Sequence, residues 1–262
     1  MLQAIAKKKI NRFLERLPED IVTDAVFGGL RYLVPREAGL VLEWLFPAPG
    51  FEQDALHGAE VLDAELWPPK RGGREPDALI RCRTANGVPL VIVVEAKWGG
   101  YTLDERQALD QWEHFVRPAT EIGEALHAIV VDRREVAEAR LAGDEDELRH
   151  TGREAEVRSW RERRDVILWH DVARRLQRRP LGVGSEQLQR WVEDVLSVFR
   201  ALGRHPFEGF HRTASAGPVR TPVIPQVFYR RAPGRRSDWL GVRVEPAWEP
   251  VFWMARSEEA SG

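Results

Sequence analysis

The sequence predicts an α/β protein with a mixed sheet of about four or five strands flanked by helices. Two observations carry this prediction. Apolar residues recur at helical spacing near both ends of 1–203, whereas the middle of that range alternates with a period of two or forms short β-branched runs. The longest such run, Leu90–Val94, is typical of a strand that is buried on both faces. Hydrophobic residues are 43% of the 262 residues, which excludes wholesale disorder.

The predicted elements follow the periodicity in chain order. Prolines follow the first apolar stripes, so three separate N-terminal helices are expected, over 2–17, 19–33 and 37–46. The later helices are expected over 103–115 and 185–202, and the strands over 60–67, 77–84, 90–94, 126–131 and 166–169. Asn86-Gly87 predicts a tight hairpin between the second and third strands. The dense mixture of acidic and basic residues over 132–165 predicts a solvated helical hairpin.

Composition bounds the domain organisation and the class of partner. Residues 204–262 are rich in proline and tryptophan and are expected to form a C-terminal extension of short strands and loops beside one domain over 1–203. The formal net charge of −2 means that any patch for nucleic acid must be local. A single cysteine, Cys82, excludes a disulfide framework and a cysteine-based zinc site. We expect a cytoplasmic protein without a membrane partner, because no apolar run reaches roughly 18 residues and Lys7–Lys9 interrupt any signal peptide.

The chemistry of the chain is concentrated in one motif, in which Asp77 is followed after 17 residues by Glu95, Ala96 and Lys97. Because residues i and i+2 of a strand point to the same face, Glu95 and Lys97 are expected to project together from the end of the apolar strand. The predicted hairpin folds the strand after Asp77 back alongside, which brings Asp77 next to Glu95. Two carboxylates and a lysine at a buried strand end need compensation, and a hard divalent cation supplies it.

This motif, written P-D-x17-E-A-K, resembles that of the PD-(D/E)xK nuclease superfamily. The predicted order of strand, hairpin, strand, helix and strand is similar to the restriction-endonuclease-like fold of that superfamily, and the resemblance covers roughly residues 19–175. It implies that Asp77, Glu95 and the backbone carbonyl of Ala96 bind Mg²⁺ or Mn²⁺. It also implies that Lys97 assists the attacking water.

The resemblance implies three further site residues. Glu19 stands where many members carry an acidic residue on the first core helix. Gln107 and Gln111 follow the motif on a helix where some subfamilies keep a glutamine that faces the metal. Neither glutamine has the tyrosine four residues later that one subfamily carries, so the chain departs from that subfamily's pattern.

Basic residues before the motif are candidates for binding nucleic acid. Lys70, Arg71 and Arg74 are expected to contact backbone phosphates, because such contacts position a nucleic acid without specifying its sequence. The alternative is that these residues form a solvated face of the structure. The sequence leaves both interpretations open.

The expected function is metal-dependent hydrolysis of phosphodiester bonds. DNA is the expected substrate, RNA stays open, and restriction, defence and repair are equally compatible settings. Three alternatives also stay open: a structural salt bridge between Glu95 and Lys97, a non-catalytic scaffold that keeps the nuclease fold, and a nucleic-acid-binding subunit of a larger complex. The sequence does not decide between a homodimer and a subunit of a larger assembly.

Overall fold

The computed structural model describes residues 10–46, 55–180 and 182–203, with side chains from Pro18 onward. The first part of the predicted helix over 2–17 and the predicted extension over 204–262 lie outside the described residues. In the described part, helices pack on both faces of a five-stranded mixed sheet. The predicted α/β class and the predicted number of strands are therefore confirmed.

The described elements have the following bounds. The helices are α1 (Ile10–Val26), α2 (Pro35–Leu45), α3 (Gln107–Gln111), α4 (Arg117–Thr120), α5 (Arg134–His150), α6 (Glu154–Glu162), α7 (Trp169–Arg178) and α8 (Glu186–Ala201). The strands are β1 (Glu60–Leu66), β2 (Ala78–Arg83), β3 (Pro89–Ala96), β4 (Glu124–Val131) and β5 (Arg164–Leu168). A short 3₁₀ helix (Gly28–Tyr32) follows α1, and a π-helical turn (Trp112–Val116) joins α3 to α4.

The strands lie in the spatial order β1-β2-β3-β4-β5. β1, β2 and β3 are antiparallel neighbours, whereas β3, β4 and β5 run parallel to one another. The predicted hairpin between β2 and β3 is present, and Gly87 adopts a φ of 81° that a glycine tolerates without strain. The hairpin register pairs Ala78 with Val94, so the residue before β2 lies beside the end of β3.

The central strand β3 separates two apolar clusters. Ile92 and Val94 contribute to the cluster formed with α1, α2, α7 and α8. Val93 contributes to the cluster formed with α3, α5 and α6. Because side chains alternate across a strand, Glu95 follows Val93 onto the face that α3 covers. The alternation of side chains in β3 therefore determines on which side of the sheet Glu95 lies.

The helix boundaries differ from the sequence prediction at three places: at Pro18, at the end of the helix expected over 19–33, where α1 stops at Val26, and before α3. Pro18 was expected to end the first helix, but α1 continues through it. A proline inside a helix removes one backbone hydrogen bond, and we attribute its tolerance here to the packing of Val22 and Val26, which are fully buried one and two turns later. The helix expected from residue 103 begins at Gln107, because Arg106 has a φ of 56° and cannot be part of a right-handed helix.

The segment after β4 also departs in part from expectation. Residues 134–162 form the predicted helical hairpin, but Asp144 and Glu145 are buried rather than solvated. Trp169 was expected to end a strand, yet it begins α7 with its side chain fully buried.

None of the helices in the described part combines the length and the apolar character that crossing a bilayer requires.

Candidate active site

Glu95 and Lys97 lie at the carboxyl end of β3 and contact each other. The Lys97 amine donates to Glu95 Oε1 and lies 3.2 Å from the carbonyl oxygen of Ala96. Glu95 is 1% exposed and Lys97 is 6% exposed, so this ion pair is almost fully removed from water. Glu95 and Lys97 therefore share a face of the sheet, as expected. Both side chains are more deeply buried than side chains at an open strand end.

Asp77 immediately precedes β2 and joins the same cluster. Its backbone N–H donates to the carbonyl of Val94 at 2.9 Å, and its Oδ2 accepts from the N–H of Ala96 at 2.8 Å. The hairpin register therefore places Asp77 beside Glu95, as the spacing of the motif predicts. Asp77 is partly exposed, so the cluster has its accessible carboxylate here.

Glu19 reaches the cluster from α1. It lies on the same helical stripe as the buried Val22 and Val26, because residues three and seven positions apart share a helix face. Its Oε2 accepts from the backbone N–H of Trp98 at 3.0 Å, and its Oε1 lies 3.8 Å from the Lys97 amine. The structure thus brings Glu19 together with the motif, at the other side of the Lys97 charge.

Gln107 and Gln111 project from α3 onto the carboxylate of Glu95. They are one helical turn apart, so both side chains reach the same neighbour. Gln107 Nε2 donates to Glu95 Oε1 at 2.6 Å, and Gln111 Nε2 donates to Glu95 Oε2 at 2.5 Å. Together with Lys97, they direct three N–H donors at one buried carboxylate.

The electrostatics of the cluster show a shortage of positive charge around Glu95. Burial, and next the charge of Asp77, raise the pKa of the Glu95 carboxyl, against hydrogen bonds from Lys97 and Gln111. Burial disfavours the charge on Lys97, but the neighbouring carboxylates outweigh burial and raise the pKa of its amine. Because every neighbour of Glu95 in these hydrogen bonds is a donor, the cluster accommodates the ionised carboxylate beside a charged lysine.

The cluster contains oxygen atoms of the kind that a hard cation prefers, and the Lys97 amine contacts two of them. Glu19, Glu95 and the carbonyl of Ala96 already surround one positive charge, the Lys97 ammonium group, and Asp77 adds a further carboxylate. Mg²⁺ prefers oxygen ligands and is often bound by one or two carboxylates together with waters. Within the described residues, no group of three or more histidine, cysteine, aspartate or glutamate side chains is arranged to hold a metal ion. Binding by these residues would require the Lys97 amine to move away from Glu95 Oε1.

The basic loop before the motif is tied to the helix that carries the two glutamines. Arg71 and Arg74 exchange two backbone hydrogen bonds, of 2.9 and 3.1 Å. The Arg74 side chain donates to Asp110 at 3.1 Å, and the Arg71 guanidinium lies 5.2 Å from the centre of the Phe115 ring. Both arginines therefore have structural contacts on the helical segment. The contacts of Lys70, Arg71 and Arg74 with phosphates remain predictions.

Two residues behind the cluster were not identified from the sequence. His127 is fully buried in β4 and bonds to Gln111 through Nε2, and Trp160 of α6 donates to His127 Nδ1. A histidine inside an otherwise apolar strand must find polar partners, which is the feature of the sequence that points to it.

No protein-family model, curated protein or solved structure matches this chain. The class of protein must therefore be argued from the described residues. They form a mixed α/β fold with a buried cluster of carboxylates, one lysine and two glutamines at the carboxyl end of the central strand.

Proposed function

We propose that this chain is a metal-dependent nuclease of the PD-(D/E)xK type that hydrolyses phosphodiester bonds, with DNA as the expected substrate. The observation that carries the proposal is the convergence of Asp77, Glu95, Lys97 and the Ala96 carbonyl at one strand end. The β2–β3 hairpin brings together Asp77, just before β2, and the residues at the end of β3. The placement of Glu19, Gln107 and Gln111 around the same charges adds support.

The topology also supports the proposal. An antiparallel hairpin, β2–β3, is followed by the helical segment that begins with α3 and by the parallel strand β4. This order is similar to the core of the restriction-endonuclease-like fold, in which the metal-binding residues lie on the corresponding hairpin. We propose that the chain has this fold.

The roles of the residues follow from their contacts. Asp77, Glu95 and the Ala96 carbonyl would hold Mg²⁺ or Mn²⁺, and such an ion, when bound, supplies Lewis-acid stabilisation of charge on the scissile phosphate. Lys97 is held in its charged form by the neighbouring carboxylates, so it can orient a water and stabilise negative charge by donating hydrogen bonds. Gln107 and Gln111 hold the Glu95 carboxylate in place.

A second candidate function is a non-catalytic scaffold or nucleic-acid-binding subunit that keeps the nuclease fold. The observation that favours it is the saturation of Glu95, since both of its oxygens accept hydrogen bonds and one of them is paired with Lys97. In that case the cluster stabilises the fold through its internal ion pair alone. The two candidates differ in whether a divalent cation binds.

Cleavage by the purified chain tests the proposal. Plasmid DNA, linear DNA and single-stranded RNA are each incubated with Mg²⁺, with Mn²⁺ and with a chelator. We expect cleavage that requires the metal, and a loss of at least about a hundredfold in rate for Glu95→Gln and Asp77→Asn, because several kcal/mol of charge stabilisation are removed. Both substitutions keep the shape of the side chain but remove its charge, and Glu95→Gln also takes a charge partner from the buried Lys97, so each variant is assayed at a temperature at which circular dichroism shows it folded.

Two matched variants control for loss of charge elsewhere. Glu145→Gln removes an equally buried carboxylate on α5, and Asp63→Asn removes an exposed carboxylate on β1. Both should cleave like the parent at a temperature where they are folded. Metal-dependent cleavage by Glu95→Gln at the parent rate would reject the proposed function. Absence of cleavage and of cation binding in the parent would favour the scaffold.

A further inference from the structure

His127 lies behind the candidate site in the middle of β4. Its ring is fully buried between Gln111, which contacts Glu95, and Trp160 on α6. The proposed function assigns no role to His127 or Trp160. The tautomer of a buried imidazole decides which ring nitrogen donates and which accepts a hydrogen bond.

The hydrogen bonds of this group run in one direction. An indole N–H can only donate, so Trp160 Nε1, at 3.0 Å, makes His127 Nδ1 an acceptor. A neutral imidazole with an accepting Nδ1 carries its proton on Nε2, which therefore donates to Gln111 Oε1 at 3.1 Å. The amide nitrogen of Gln111 is then left to donate to Glu95 Oε2.

The surroundings of His127 keep it neutral. Burial, and next the positive charge of Arg164, lower the pKa of His127 to about 3. The planes of the His127 and Trp160 rings differ by 20° and their centroids are 6.1 Å apart, which suits a hydrogen bond in the plane of both rings. A neutral imidazole between these two partners holds one tautomer across the physiological pH range.

The two glutamines differ in what fixes their amide groups. The Oε1 atom of Gln107 accepts from the backbone N–H of Asp104 at 3.0 Å, so the backbone orients that amide. The Oε1 atom of Gln111 accepts from His127. Without the His127 donor, the Gln111 amide can rotate and turn its oxygen toward the Glu95 carboxylate, which is repulsive.

We infer that His127, held by Trp160, is a positioning residue that keeps the Gln111 amide directed at Glu95 and so orients the carboxylate for a divalent cation. This inference rests on the proposed function and deepens it. His127 acts through Gln111, in the way that residues behind a metal ligand fix its orientation. The chain Trp160–His127–Gln111–Glu95 connects α6, β4, α3 and β3.

Four variants separate positioning from general packing. His127→Leu removes both hydrogen bonds at similar volume, whereas His127→Gln can again donate to Gln111 from its amide nitrogen. Trp160→Phe removes the indole N–H donor together with part of the ring volume, while an aromatic ring remains at this buried position. Val157→Ala is the matched control, because Val157 is buried one turn earlier on α6 in the same apolar cluster.

The first measurement is ¹⁵N NMR of the imidazole in the metal-free protein, and the second is calorimetric titration with Mn²⁺ in the absence of nucleic acid. We expect the parent to carry its proton on Nε2 of His127. We expect His127→Leu to weaken Mn²⁺ binding by about tenfold and His127→Gln to recover most of it, since residues behind a ligand typically contribute about 10–100-fold. Trp160→Phe should fall between these variants, and Val157→Ala should bind like the parent although it melts earlier.

Several results would overturn the inference: a proton on Nδ1 in the parent, parent-like Mn²⁺ affinity in His127→Leu, or no recovery in His127→Gln. A parent that binds no Mn²⁺ would instead contradict the proposed function. The positioning role is then decided by hydrogen exchange of the Gln111 side-chain amide. Exchange that is at least about tenfold faster in His127→Leu than in the parent supports the positioning role of His127, and equal exchange rejects that role.

Discussion

Two buried carboxylates, Glu95 in β3 and Glu145 in α5, are equally hidden from water and have opposite electrostatic surroundings. Glu145 is 2% exposed and pairs with Arg149, Arg161 and Arg164. Glu95 is 1% exposed and has one lysine, two neutral amides and a nearby carboxylate, Asp77.

The pKa shifts of the two groups follow from these neighbours. Burial opposes the charge of Glu145, but hydrogen bonds from Arg161 and Arg164 outweigh it and lower the pKa from 4.5 to about 2. Burial and Asp77 instead raise the pKa of Glu95. The arginines around Glu145 more than compensate for the burial of its negative charge, which is typical of a structural ion pair. The neighbours of Glu95 do not compensate for its burial and for the charge of Asp77. A bound cation would add the missing positive charge.

The largest effect on stability is expected at Glu145. Glu145→Gln leaves Arg164, whose side chain is 13% exposed, without its carboxylate. We expect the free energy of unfolding to fall by about 2–3 kcal/mol, toward the low end for breaking a buried pair because Arg161 is largely exposed. Urea denaturation at pH 7 measures this change. An unchanged unfolding free energy would remove the structural role assigned to Glu145.

The stability of the parent should also depend on pH differently from that of Glu145→Gln. Because the pKa of Glu145 is lower in the folded chain than in the unfolded one, its stabilisation is complete above about pH 4.5 and is lost as the pH falls toward 2. The difference in unfolding free energy between the parent and Glu145→Gln should therefore shrink across that window. Thermal unfolding from pH 2 to 6 tests it, and a constant difference would contradict the assigned pKa shift.

The smallest effect on stability is expected for Asp77→Asn, which should stabilise the protein, whereas Glu145→Gln should destabilise it. Asp77→Asn removes a negative charge beside Glu95 and keeps an oxygen that can accept from the Ala96 N–H. We expect the metal-free protein to become more stable by about 0.5 kcal/mol, the size typical of a partly exposed charge interaction. Differential scanning calorimetry with a chelator measures it. A clear loss of stability would mean that the Asp77 charge stabilises the fold.

Much of the site could be predicted because short-range patterns determine it. The apolar run Leu90–Val94 predicted the central strand, and the Asn86-Gly87 turn predicted the hairpin that pairs Ala78 with Val94. Once that register is known, Asp77 must lie beside Glu95. The alternation of a strand then predicts that Glu95 and Lys97 share a face, as they do.

The features that were not predicted depend on contacts between elements distant in the chain. We attribute the continuation of α1 through Pro18 to the burial of Val22 and Val26, which outweighs the local preference of proline. The partners of His127 come from α3 and α6, 16 residues before it and 33 residues after it. The close approach of Glu19 to Lys97 also joins a helix and a strand far apart in the sequence, and Glu19 was expected at the site only from the resemblance to the nuclease superfamily. The sequence marks His127 as a polar residue in an apolar strand, but no local pattern identifies its partners.

The most direct test of the central claim is a crystal structure of the parent protein soaked with Mn²⁺, with anomalous scattering used to locate the ion. We expect one strong peak within bonding distance of Asp77, Glu95 and the Ala96 carbonyl, with the Lys97 amine moved away from Glu95. A Glu145→Gln crystal should show the same peak, and a Glu95→Gln crystal should lose it. A Lys97 amine that still pairs with Glu95 at saturating Mn²⁺, with no peak beside it, would contradict the proposed metal site.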